Sequence, residues 1–108
     1  MKTHQPLLAI SIPATATLTK RRFATSAGAV PAAGAWCPGI TELDCDIGLQ
    51  ATVNTHGVIL VEAGAAVALD AQVQCDASGR AITLGAGVAL ARALDAAAAA
   101  GDVIRVLK

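Results

Sequence analysis

The chain has 108 residues, room for one modest domain and not two, and its eight basic and eight acidic residues cancel, so no bulk charge draws it toward nucleic acid. It is 55% hydrophobic, but 26 of those residues are alanine and only 27 are Val, Ile or Leu. One Phe, one Trp and no Tyr exclude a base-stacking platform, the apolar content excludes disorder, and no apolar run reaches the ~18–20 residues of a membrane-spanning helix.

Each buried branched aliphatic stabilises a fold by roughly 1.5–3 kcal/mol. The core is therefore sufficient but thin, and small domains with thin cores are commonly reinforced by oligomerisation. At the N-terminus, Lys2, the apolar stretch Leu7 to Ile12 and Ala14-Thr15-Ala16 share features with a weak signal peptide. That stretch is short, is interrupted by Pro6 and Pro13, and is followed by Lys20-Arg21-Arg22. Residues 1–16 therefore read as an extended N-terminal arm, and residues 17–108 as a single β domain.

A strand is expected around 17–25, where Leu and Thr recur and Pro13 discourages a preceding helix. Residues 26–39 are a loop punctuated by Gly and Pro. Ile40 to Gly48 interleaves Glu42, Asp44 and Asp46 with Ile40, Leu43 and Ile47, the pattern of a short strand with a turn. The clearest strand signal is Ala51 to Glu62, rich in β-branched residues, with Gly57 as a bulge or bend and Ala63-Gly64-Ala65 as a turn. A hairpin follows: Gln72 to Cys75, a turn from Asp76 to Gly79, then Arg80 to Thr83. Asp at the first turn position and Gly at the fourth fit a type I turn.

Val88 to Gly101 carries two readings. Its alanines and terminal Gly favour a helix, whereas Val88, Leu90 and Leu94 also lie at strand spacing, behind Gly85 and Gly87. A compromise is a strand over 87–94 and a short helical turn from Asp95, as N-cap, to Gly101. Asp102 to Leu107 is a closing strand. The three cysteines, Cys37, Cys45 and Cys75, leave one unpaired in any disulfide scheme and contain no CxxC, so they read as small buried hydrophobes in a reducing setting.

Three stretches carry a family likeness: Asp76-Ala77-Ser78-Gly79-Arg80-Ala81, then Gly87 to Leu94, then Ala97 to Leu107 ending Gly101-Asp102-Val103-Ile104-Arg105-Val106-Leu107. Ile47-Gly48, the Gly57 to Glu62 strand and Ala63 to Val67 precede them in the same order. Together they resemble the small head decoration, or capsid cement, proteins of tailed bacteriophages and prophages. The weight rests on order and spacing, since no single motif is chemically specific. The resemblance implies an all-β fold, a small β-barrel or β-sandwich with an extended N-terminal arm and one short C-terminal helical turn, which resolves the ambiguity at 88–101. It implies a structural virion protein on the outer capsid surface, present in the host cytoplasm during assembly. Such a protein bridges major capsid protein subunits, commonly as a homotrimer at threefold positions, with no cofactor, small-molecule substrate, nucleic acid or membrane partner. Some members were once labelled recombinases, but this chain has no GxxxxGK(S/T) phosphate loop to support that label.

Candidate chemistry is sparse beside this. His56 with Cys37, Cys45 and Cys75 offers zinc-ligating residue types, but at no established ligand spacing, and nothing marks a thiol as an activated nucleophile. Asp44 and Asp46 would share a strand face and could bind a cation, though a solvated edge is commoner. Glu62 and Asp70 read as surface charges flanking turns. Lys20, Arg21 and Arg22 are either a solvated strand end or an electrostatic contact to an acidic capsid patch. Leu7, Leu8, Ile10 and Ile12 would then form an arm able to add a strand to a capsid sheet edge. The alanine-rich stretches 63–71 and 86–100 suit close packing, in part against a second copy. The rival readings are a small metal-binding or thiol enzyme module and a head-completion or tail adaptor.

Overall fold

The β-branched run at the middle of the sequence is the spine of the fold. In the computed structural model, which describes residues 4–108, Gln50–Glu62 is one continuous strand, and Ala51, Val53, Ile59 and Val61 point into the core. In chain order the strands are β1 (Gln5–Pro13), β2 (Phe23–Ala24), β3 (Gly39–Thr41), β4 (Gln50–Glu62), β5 (Gln72–Cys75), β6 (Ala81–Thr83), β7 (Ala91–Ala93) and β8 (Val103–Leu107). No helix occurs among the described residues. The strands form one sheet in the order β2-β3-β4-β8-β7-β5-β6, and β1 pairs with β4 off this path. Met1, Lys2 and Thr3, where the expected arm and its signal-like Lys2 begin, lie outside the described residues.

All the strand pairs are antiparallel, and the two ends of the path are drawn together. The Phe23 N–H in β2 donates to the Gly79 carbonyl between β5 and β6 at 2.7 Å, and Ala63, after β4, bridges Ala81 in β6. The curled sheet encloses one cluster of Phe23, Cys37, Ile40, Ile59, Val61, Val73, Cys75, Leu90, Ile104 and Val106 with several alanines. A second cluster, Ile12, Ala14, Leu18, Ala24, Cys45, Ala51 and Val53, lies where β1 meets β4.

The expected strand over 17–25 shrinks to Phe23–Ala24. Arg21 turns the chain there with a φ of 60°, and Leu18 makes only an isolated bridge to Cys45. The strand expected from Ile40 ends at Thr41, and the one over 87–94 is limited to Ala91–Ala93.

The helical turn expected from Asp95 to Gly101 is absent, and the hydrogen bonds explain why. The Ala97 N–H donates to Val67 O and the Gly101 N–H to Ala63 O, both at 2.8 Å. The Asp102 carboxylate accepts the Ala98 and Ala99 N–H groups. Asp95, expected as the cap, instead forms a two-pronged ion pair with Arg105 at 3.0 and 3.1 Å. Alanine propensity is worth only tenths of a kcal/mol per residue, so these tertiary bonds override it.

Candidate functional site

β1 is the feature most open to a partner. Among the described residues it is paired on one side only, with β4, from Gln5 opposite Val58 to Pro13 opposite Gln50. Two register shifts flank Leu8, and opposite them Gly57 adopts a φ of 113°. A Cβ there would lie 2.5 Å from Gln5 O and 2.7 Å from Leu7 N, so the missing side chain lets β1 seat against β4. Leu7 is 86% exposed, Leu8 49% and Ile10 37%. Ile12, grouped with them from sequence, is instead 6% exposed and packs in the second cluster, because it sits opposite the inward-facing Ala51. It serves the core, not the surface.

His4 pins the start of β1. Its Nδ1 accepts the Leu60 N–H at 3.1 Å, so in the neutral ring Nε2 carries the proton. Nε2 faces Glu42 Oε1 at 3.5 Å and the Asn54 side-chain amide at 3.2 Å. A shallow cleft of about 190 Å³ lies beside this clasp, lined by His4, Arg21, Thr41, Glu42 and Leu60.

The basic run divides. Lys20 is exposed and its backbone N–H donates to Asp44 Oδ1 at 2.8 Å. Arg21 is stitched between strands, its N–H donating to Thr41 O and its carbonyl accepting from Glu62 N–H. The Arg22 guanidinium is held by Glu62 at 3.1 Å, and Arg80 approaches the same oxygen at 3.7 Å. Glu62 is thus an internal counter-ion, not the solvated charge its position suggested. In the hairpin, Asp76 Oδ1 accepts the Ser78 and Arg80 N–H groups, the Gly79 N–H donates to Asp76 O, and Gly79 takes a φ of 81°.

Of the residues of the metal reading, only Cys37 and Cys75 are brought together. Cys37 and Cys75 lie in the first cluster, Cys45 in the second, and His56 is exposed on β4. Among the described residues no group of three or more His, Cys, Asp or Glu gathers at metal-binding geometry. Asp44 and Asp46 are exposed on either side of Cys45, whose isolated bridge to Leu18 does not extend into a strand.

Exposed apolar side chains that sequence pattern did not single out as a surface are Leu43, Ile47 and Leu49 after β3, and Trp36 in the loop before it. Ile47 and Leu49 adjoin the far end of β1, where Ala14 N–H donates to Leu49 O and Gly48 N–H to Ala14 O. The available signal was large apolar residues set among acids, Gly and Pro, where burial is rare.

The family model described as phage cement protein matches residues 3–107. Among solved structures the fold is similar to the head fiber gp8.5 N base of bacteriophage phi29, with a TM-score of 0.74 and 17% identity over 93% of this chain and 92% of that one. No curated protein sequence matches the chain.

Proposed function

The chain belongs to the phage cement protein family, and from that premise we propose that it fastens to the outside of the assembled phage head and bridges neighbouring major capsid protein subunits. Membership makes it a phage capsid-associated structural protein. The observation that carries the finer reading is β1, a nine-residue strand whose second edge is unpaired among the described residues and which presents Leu7, Leu8 and Ile10 to solvent. An exposed apolar edge strand is a template for pairing with another chain, and a capsid sheet edge is the partner it fits. Residues 1–16 act as the attaching arm and 17–108 as the body. Lys20 and Arg21 supply positive charge nearby, while Arg22 is engaged by Glu62.

A homotrimer suits the alanine-rich surface. Ala65, Ala66 and Ala68 precede β5, Ala96, Ala98, Ala99 and Ala100 precede β8, and all are exposed. The Val67–Ala97 bridge joins the two segments, and small side chains there permit a close approach of copies. Three attachment points per trimer give avidity from modest contacts, and binding the lattice in preference to free subunits stabilises it by mass action. The role is structural and needs no catalytic group, cofactor or small-molecule substrate. The protein would reside in the host cytoplasm during assembly and on the outer virion surface afterwards.

Electron microscopy of particles carrying the protein tests this. Density at threefold positions, lost with Leu7→Glu, is the expected result. Density confined to the tail or one vertex would sink the bridging role in favour of an adaptor.

A further inference from the structure

Two of the three cysteines are neighbours in the fold although 37 and 75 are far apart in sequence. The loop between β2 and β3 wraps over the end of β5, with the Gly34 N–H donating to Cys75 O at 2.9 Å. The Cys75 thiol reaches Ala32 O at 3.3 Å and Ala35 O at 3.4 Å, and the Cys37 thiol reaches the same Ala35 O at 3.8 Å. The shared acceptor, Ala35 O, places the two thiols side by side. Both residues are fully buried in one cluster, whereas Cys45 lies in the other and contacts Asp46 O.

We propose that Cys37 and Cys75 are a disulfide-forming pair, and that oxidation staples the loop between β2 and β3 to the end of β5. With a low-molecular-weight disulfide as oxidant, the thiolate of one cysteine attacks it. A mixed disulfide forms and one small thiol leaves. The thiolate of the other cysteine then attacks the protein sulfur and expels the second small thiol. The cysteines lose two protons and two electrons, and the oxidant becomes two thiols. Burial governs the rate. Neither thiol is exposed, and burial, with Cys75 adjacent, pushes the Cys37 thiol up to about 12, so thiolate is scarce and the loop must open to admit oxidant. The pair therefore stays reduced in a reducing cytoplasm and closes after transfer to an oxidising medium. That timing alone rests on the capsid reading, whereas the pairing does not. The ring so closed contains β3 and β4, and cross-linking it restricts the unfolded chain.

The test uses the isolated full chain, first reduced and then exposed to glutathione disulfide, either folded or while refolding from denaturant. Cleavage at acidic residues separates the cysteines, because Glu42 and Asp44 lie between Cys37 and Cys45 and Asp46 and Glu62 between Cys45 and Cys75. The expected product in both samples is a Cys37–Cys75 linked peptide, formed more slowly from folded protein and unaffected by Cys45→Ser. Its thermal midpoint should rise by roughly 10 °C and return on reduction. Predominant linkage to Cys45, no disulfide after refolding, or an unchanged or lowered midpoint on cross-linking would overturn the proposal.

Discussion

Gly57 occupies a backbone conformation closed to other residues and also lies too near β1 to carry a side chain. Gly57→Ala should cost roughly 1–3 kcal/mol from backbone strain. The damage should appear first as faster amide exchange across residues 5–11. Gln74 is the opposite kind of residue, a buried polar group fixed by what it accepts. Its Oε1 takes the Gly85 N–H at 2.8 Å and the Gly87 N–H at 3.0 Å, which holds Gly87 against Gly34. Gln74→Ala leaves both donors without that acceptor and should lower stability by about 2 kcal/mol in denaturant unfolding. Cys37 predicts a pH dependence. Its folded pKa is raised from 9.0 to about 12, so the unfolded chain releases this proton first. The stabilisation is complete below about pH 9 and is lost as pH rises toward 12. Under reducing conditions, stability measured from pH 9 to 12 should fall more steeply for the native chain than for Cys37→Ala.

Among the elements, β1 and the segment 95–102 show how context assigns structure. β1 keeps its strand because β4 supplies a partner along nearly its whole length. Its side chains then divide by what they face across the sheet. Ile12 opposite Ala51 is buried, and Leu7 at the register shift is not. Leu7→Glu should leave the thermal midpoint within about 2 °C of the native value, since isolated surface changes are worth little, while reducing occupancy on capsids. An equal loss of stability would mean that Leu7 serves the fold. Alanine content at 96–100 made a helix reasonable, yet peptide groups at 97–99 are claimed by Val67 and Asp102, and that of Gly101 by Ala63. No apolar stripe was present to bury a helix and compete with them.

At the scale of the whole molecule, curling the sheet joins segments distant in sequence around a small, alanine-padded interior. A body of this kind gains from neighbours. Sedimentation at micromolar concentration should give three chains per particle, and Ala66→Arg with Ala98→Arg should shift it to the monomer. A native chain that sediments as a monomer would remove the trimer from the reading. The all-β class came from the family resemblance, while the sequence by itself determined the long central strand at Ala51 to Glu62 and the Asp76–Gly79 turn. Those depend on β-branched runs and turn residues acting over a few positions. Only the tertiary structure decided that Ile12 is core, that Glu62 pairs with Arg22, that Asp95 serves Arg105, and that Cys37 meets Cys75. Each of these joins residues through sheet register or chain curvature, which no local pattern encodes. The 26 alanines can likewise be counted in the sequence, but which of them fill the core and which line the surface is settled by the curl of the sheet.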